Sequence, residues 1–322
     1  MKVVTRLFSL TKAELAAKAN ELNFVRDTLE KVLRLADILD YLNTNLLTKD
    51  TLALKGGTAI NLTVFNLLRL SVDLDFDYSV EQSREEMLRQ RETISEEIRI
   101  YMATQGYTLS ARSKTRHSLD SFVFVYQNLG GMNDNIKIEI NYSLRAHIFA
   151  PEKRLIVTDA IPGGRYALSV LPIEIFAGKI NALLSRAAAR DLYDNYIMIR
   201  YGLFKNSDYD LLRKSVIFYT AISQEKIPQI YDMNRIDAIT IHKIKTDLLP
   251  VIHKGEFVEL ENMKNTVKGF IEKLLLLTDD EKAFLKAFSE KQYKPELLFD
   301  DSDILNRIRR HPMVLWKMQD RK

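Results

Sequence analysis

Cysteine is absent from the 322 residues. That excludes disulfides and thiolate metal centres, and it fits a reducing compartment without requiring one. Histidine is scarce, with five scattered along the chain, so no histidine-rich metal site is expected. No apolar run approaches the ~18 residues that a membrane span needs, and no membrane helix is expected. The N-terminal stretch MKVVTRLFSLTKAELAAKAN puts a short apolar run after a lysine, then turns into a charged helical pattern without a small-residue cleavage site. It is not read as a secretory leader, and the expected location is cytoplasmic. A strong excess of one charge is missing too. Lys plus Arg number 47 against 43 Asp plus Glu, a net +4, which permits a nucleotide or nucleic-acid partner without arguing for one. Internal repeats and low-complexity tracts are lacking. What remains, 46% apolar and 28% charged, is the balance of a globular protein, long enough for a sizeable core and two domains.

Periodicity divides the chain. Residues 11–48 carry Leu15, Leu22, Val25, Leu29, Val32, Leu33, Leu35, Ile38, Leu39 and Leu42 at helical spacing, the pattern of one or two amphipathic helices. A helix is expected over 58–68, opened by Gly56-Gly57. Residues 70–78 alternate strictly: Leu70, Val72, Leu74 and Phe76 point one way, Ser71, Asp73, Asp75 and Asp77 the other. A charged helix follows over 81–105. After Gly106 the period becomes two, over 107–113, 121–127 and 136–142, the last two joined by a turn-rich link over 128–135 as an antiparallel hairpin. A looser segment with Pro151, Pro162, Gly163 and Gly164 marks the expected domain boundary, and from Ile173 the chain reads as helical to its end. The expected fold class is α+β: a helix-flanked mixed or antiparallel sheet over 1–160, then a helical domain over 161–322.

Three acidic side chains on one face of a strand repel one another and do not serve stability. One account is an exposed strand that carries charge against edge-to-edge pairing. The other is chemical. Carboxylates sharing a site raise one another's pKa unless a cation neutralises them, and a hard cation such as Mg²⁺ takes one or two carboxylates together with substrate phosphates. Asp73 and Asp75 have that spacing. Upstream, Gly56-Gly57 lets backbone approach a ligand closely, and the helix start at Thr58 offers N–H groups to a phosphate. In Ile136-Lys137-Ile138-Glu139-Ile140-Asn141 the isoleucines share a face and leave Lys137, Glu139 and Asn141 on the other. Beside the Asp-x-Asp strand, Glu139 supplies a third carboxylate; elsewhere it is an ordinary solvent-facing residue. Lys179 and Arg186 lie two helical turns apart on one stripe, either a phosphate-neutralising pair or a solvated basic face. Tyr193, Tyr196 and Tyr201 suit base stacking or core. The basic tail of Arg307, Arg309, Arg310, Lys317, Arg321 and Lys322 reads as a solvated helix or as RNA-phosphate contact. Asp77 reads as an accessory charge.

Together, Gly56-Gly57-Thr58, a helix, and Ser71-Val72-Asp73-Leu74-Asp75 resemble the signature of the DNA polymerase β-like nucleotidyltransferase superfamily. The longer LKGGTAINL…RLSVDLDFDY resembles the AbiEii/AbiGii toxin family with the related MenT toxins, the toxin halves of bacterial type IV toxin–antitoxin and phage-defence systems. IKIEI resembles the family's third-carboxylate strand. The stretch from Ile173 through Lys179 to Arg186 resembles its lysine-bearing helix, and Arg190-Asp191-Leu192-Tyr193-Asp194 its Arg-Asp-x-x-Asp segment. His311-Pro312…Trp316-Lys317 resembles its ending. Most of the chain is covered, although residues 201–303 share only length and helical content. Thr58 stands where the family often has serine, and the hydroxyl is kept.

The resemblance implies a polymerase β-like fold and a Mg²⁺-dependent enzyme, with two ions, that moves a nucleoside monophosphate from NTP to an acceptor and releases pyrophosphate. The acceptor would be RNA, tRNA in particular, and a cognate antitoxin protein would restrain the enzyme. Metal binding would fall to Asp73, Asp75 and Glu139, and catalysis to these with Lys179 and Asp191. Nucleotide contact would fall to Gly56, Gly57, Thr58, Ser71, Lys179 and Arg186, so that the helical domain contributes basic active-site residues. Whether Glu139 or Asp191 is the third acid stays open: strand geometry favours Glu139 as metal ligand and Asp191 as partner of Lys179 or of the acceptor. A small-molecule or protein-hydroxyl acceptor, and a non-catalytic nucleotide-binding module, are the alternative functions.

Overall fold

The computed structural model describes residues 10–158, 160–161, 163–228 and 231–319. Residues 1–9, on which the leader reading partly falls, and Pro162, Arg321 and Lys322 lie outside the described residues. The chain gathers into two compact units. Of the described residues, one holds those up to Arg145 with those of 151–170 and Val251–Lys254; the other holds Ala146–Ala150, those of 171–250 and those from Gly255 on.

The first unit opens with helices α1 (Lys12–Glu21) and α2 (Arg26–Thr44). Thr11 and Glu14 cap α1 reciprocally, each side chain accepting the other's backbone N–H, which satisfies donors a helix start leaves open. Leu29, Val32, Leu35, Ile38, Leu39 and Leu42 of α2 are buried, as their spacing requires. Strand β1 (Leu52–Lys55) leads through α3 (Gly56–Ala59) to β2 (Asp73–Tyr78), and the long helix α4 (Arg84–Thr104) follows. Then come β3 (Thr108–Leu109), β4 (Lys114–Arg116), β5 (Leu119–Gln127), β6 (Asn133–Asn141), β7 (Glu152–Leu155) and β8 (Tyr166–Ser169). Among the described residues these form one mixed sheet in the order β3-β5-β6-β2-β1-β8-β7, with β4 on β5. β2 runs parallel to β6 and β1 parallel to β8, while β1–β2 and β5–β6 are antiparallel.

Several elements depart from the periodicity. The helix expected over 58–68 is α3 followed by one wide π turn over Ile60–Val64, closed by the Phe65 N–H on the Ile60 carbonyl at 2.9 Å. Asn61 and Thr63 donate to the carbonyls of Gly57 and Ala59, each at 2.7 Å, a competition that loosens the helical ladder. β2 begins at Asp73, not Leu70, because the Leu70 N–H goes to the Val251 carbonyl at 2.6 Å and Arg69 pairs with Ile252. In the hairpin, Asn133, Asp134 and Asn135 are strand residues opposite Gln127, Tyr126 and Val125. Asn128 ends the turn early: its Oδ1 accepts the N–H groups of Gly130 and Met132 at 3.0 and 2.9 Å. Strands β7 and β8 sit in the segment read as loose.

The buried Arg91–Asp120 pair clips α4 onto β5. Arg91 Nε and Nη2 donate to the two oxygens of Asp120 at 2.9 and 2.7 Å, and its remaining donors reach the carbonyls of His117 and Arg116. The bidentate geometry is the strong form of this interaction.

The second unit is helical among its described residues: α5 (Pro172–Arg186), α6 (Ala189–Arg200), α7 (Tyr209–Ser223), the short α8 (Asn234–Asp237) and α9 (Ile241–Lys243), α10 (Leu260–Leu274), α11 (Asp279–Ser289), α12 (Ser302–Ile308) and α13 (Pro312–Met318). α5 packs on α7 and α6 on α10. Pro172 opens α5, where a missing N–H costs nothing, and Ala187 at φ 50 ends it. Glu174 is buried in its first turn, accepting the N–H groups of Ile148 and Phe149 and the Tyr219 hydroxyl. Among the described residues no helix is long and apolar enough to cross a membrane.

Removing Asp120 leaves a buried guanidinium without its carboxylate. Asp120→Ala is expected to lower the unfolding free energy by roughly 3–5 kcal/mol in urea titration; a loss below about 1 kcal/mol would show that the clip carries little.

Candidate active site

Register across β1, β2 and β6 builds the site. Asp73 of β2 is opposite Lys137 of β6, Asp75 opposite Glu139, and Asp77 opposite Asn141. On the other side, Lys55 of β1 is opposite Asp75. Registered residues share a face, so Asp73, Asp75, Asp77, Glu139, Lys55 and Lys137 project together, while Leu74, Phe76, Ile138 and Ile140 are buried on the reverse face. Asp73, Asp75 and Glu139 are half-buried, and Asp77 is buried.

The lysines on this face are engaged with its acids. Lys55 donates to Asp77, and Lys137 Nζ lies 2.9 Å from Glu139 Oε2. Burial works against the Lys137 ammonium, but the Glu139 carboxylate, with Asp73 and Asp75 nearby, outweighs it and holds the pKa above the ordinary lysine range.

The glycine turn presses directly on the acidic face. Gly56 follows Lys55 at φ +67, and a Cβ there would stand 2.7 Å from Asp75 Oδ2. A Cβ on Gly57 would stand 2.5 Å from Arg69 Nη2 and 2.9 Å from Ser71 Oγ. The Thr58 hydroxyl donates to the Asp73 carbonyl, fixing the start of α3 to the start of β2. Asn61 ties the two ends of the loop: its Nδ2 donates to the Gly57 carbonyl at 2.7 Å and its Oδ1 accepts the Arg69 N–H at 3.1 Å. Gly56, Gly57, Thr58, Ser71, Asp73, Asp75 and Glu139 are thus brought together by one unit of the fold.

Arg69, Asn61 and Lys137 belong to this neighbourhood and were not singled out from the sequence. Arg69 is buried, at 3% exposure, with its guanidinium against Gly57 and bonded to the Leu70 carbonyl at 3.0 Å. Strand alternation already put Lys137 on the face of Glu139, so that signal was available. Nothing in periodicity points to Arg69 or Asn61.

Among the described residues no group of three or more His, Asp or Glu side chains is gathered so as to hold a metal ion. Glu139 is bonded to Lys137 instead of converging with the two aspartates. The donor set still fits a hard divalent cation, which needs only one or two carboxylates when phosphates complete its shell. Asp73 and Asp75 are that pair, with Glu139 one strand away in register with Asp75.

In the helical unit, Lys179 of α5 and Asp191 and Asp194 of α6 form a second charged cluster. Lys179 Nζ lies 2.9 Å from Asp191 Oδ1 and 2.9 Å from Asp194 Oδ2, and Arg186 Nε donates to Asp191 Oδ2 at 2.7 Å. Both aspartates are buried, whereas the Arg186 side chain is 64% exposed. Burial alone would raise the Asp191 pKa; Lys179 and Arg186 overcome it and hold the carboxyl below the usual aspartate range. Arg190 donates to the Asp247 carbonyl at 2.7 Å. Of the tyrosines weighed for base stacking, Tyr193 is core, its hydroxyl on Glu256 at 2.8 Å, and Tyr201 is exposed.

Residues 37–293 match the family model described as nucleotidyl transferase AbiEii toxin, Type IV TA system. The structure of MenT4, a nucleotidyltransferase toxin from Mycobacterium tuberculosis H37Rv, is similar at a TM-score of 0.63 and 19% identity, over 95% of this chain and 99% of that one. At that identity the likeness speaks for the fold. No curated protein matches the chain.

Two glycines should respond oppositely to alanine. Gly56→Ala, at positive φ and against Asp75, is expected to cost at least about 1–2 kcal/mol of stability. Gly178→Ala, mid-helix in α5 with nothing within 4 Å of the new Cβ, is expected to add about 0.5–1 kcal/mol. Urea unfolding of the two variants measures both signs, and a neutral Gly56→Ala would contradict the close approach.

Proposed function

The chain belongs to the nucleotidyl transferase AbiEii toxin family of type IV toxin–antitoxin systems, and from that premise we propose that it is a Mg²⁺-dependent nucleotidyltransferase that transfers a nucleoside monophosphate from NTP to an RNA, tRNA in particular. The toxin family implies an antitoxin partner and an NTP substrate. A role in phage defence and a cytoplasmic location are part of the same reading. The observation that carries it is the packing of the Gly56 turn against Asp75, with Asp73 beside it and Glu139 in register on the next strand.

The reaction is an in-line displacement. The acceptor hydroxyl oxygen bonds to the α-phosphorus, the bond from that phosphorus to the β-phosphate bridge breaks, pyrophosphate leaves, and the hydroxyl proton is lost to solvent or base. Asp73, Asp75 and Glu139 would hold the divalent ions, two in number, which when bound supply neutralisation of the triphosphate and activation of the attacking hydroxyl. Gly56 and Gly57, lacking side chains, let their backbone come close to the triphosphate, and Thr58 keeps the turn fixed to β2. Ser71, whose Oγ faces Gly57, adds a hydroxyl beside the same turn. By the same reading Lys179 and Arg186 of the helical half, beyond about residue 160, would neutralise phosphate charge, and Asp191, which bonds both, would order them. Positioning and charge neutralisation account for most of the catalysis in such a site.

Purified protein given each labelled NTP with Mg²⁺ and total RNA is expected to label the tRNA fraction. Asp73→Asn is expected to reduce that labelling by roughly 10²-fold or more. Label on protein or on a small molecule with RNA unmarked would move the acceptor to another class. No label from any of the four NTPs on any acceptor would overturn the proposal.

A further inference from the structure

Lys137 stands on the acidic face, across from Asp73. Its Cα pairs with Asp73 across the parallel β2–β6 ladder. Its Nζ is 2.9 Å from Glu139, two residues on along the same face, and it feels Asp73 and Asp75 electrostatically. Of the two strands that flank β6, only β2 brings charge opposite Lys137 and Glu139. On β5, the residues opposite Lys137 and Glu139 are Val123 and Ser121, which carry none. On β1, Lys55 is bonded to Asp77. On this face the carboxylates of Asp73, Asp75, Asp77 and Glu139 meet the ammonium groups of Lys55 and Lys137, with the Arg69 guanidinium buried beside Gly57. An ammonium and a metal ion cannot both sit close to the same carboxylates without strong repulsion in a half-buried setting.

We infer that Lys137 is the resident counter-cation of the metal site: it holds Glu139 aside and opposes a divalent ion approaching Asp73 and Asp75. Resting on the proposed role of those aspartates, this makes Lys137 a positioning residue that keeps metal affinity low until a triphosphate brings compensating negative charge. Metal and NTP then load with positive coupling, and the free protein is kept from filling its site with metal alone. The lysine does two things with one charge. It relieves carboxylate repulsion in the metal-free protein, and it raises the threshold for the ion that replaces it.

The test is Mn²⁺ binding to the full chain without nucleotide, read as free against bound Mn²⁺ by electron paramagnetic resonance. Lys137→Met is expected to bind Mn²⁺ at least about ten-fold tighter than wild type. Lys137→Arg keeps the charge and is expected to stay within about three-fold of wild type. In chelator the Met variant should melt below wild type and should gain more from saturating Mn²⁺. Lys137→Gln removes the same charge and is expected to tighten binding similarly, which serves if the Met variant does not fold. Asp73→Asn in the Lys137→Met background separates the two ideas. If it abolishes binding but Lys137→Met and Lys137→Gln are no tighter than wild type, the counter-cation role is wrong and the metal site stands. If Asp73→Asn leaves binding intact, the metal role of the aspartates falls, and this inference with it.

Discussion

Repulsion between like charges on one face of a sheet is the constraint from which the site follows. Asp73, Asp75 and Asp77 alternate along β2, and Glu139 enters from β6 in register with Asp75. Such an arrangement lowers stability unless cations accompany it. The sheet supplies two on the strands that flank β2: Lys55 from β1 and Lys137 from β6. The register of β2 with β6 is what makes this possible, because it sets Glu139 and Lys137 on the aspartate face. The antiparallel β1 brings Lys55 to the same face, and the chain then turns at once through Gly56 against Asp75. One short connection therefore places both the lysine that balances Asp77 and the glycine that touches Asp75.

The helical unit handles charge differently. Asp191 and Asp194 are buried and share Lys179, with Arg186 completing the set on Asp191. Two carboxylates and two cations balance locally, which is what buried charges require. The strand face instead keeps more acid than base among its own residues. A site that is to accept a divalent ion needs that asymmetry, and a purely structural cluster does not.

Much of this was legible in the amino-acid order. The strict alternation around Asp73, Asp75 and Phe76 put the acids on one face, and the same rule put Glu139 with Lys137. The amphipathic spacing over 11–48 became α1 and α2. What failed did so where distant chain, or a polar side chain bonding back to nearby backbone, decides local structure. Leu70 and Arg69 continue the alternation of β2 but pair with Val251 and Ile252, partners that no local pattern reveals. The helix after Gly57 stops short because Asn61 and Thr63 bond back to the backbone, and Asn61 is also committed to Arg69. The hairpin closes early through the Asn128 side chain, so three polar residues read as turn belong to β6. Periodicity assigns a face; it does not say which cation answers which acid, and the pairing of Lys137 with Glu139 became visible only with the register.

The most direct measurement is anomalous diffraction from crystals grown with Mn²⁺ and a non-hydrolysable NTP. The expected result is manganese density at the carboxylates of Asp73 and Asp75, with the triphosphate against the Gly56-Gly57 turn. Manganese peaks elsewhere, with none at Asp73 or Asp75, would contradict the central claim.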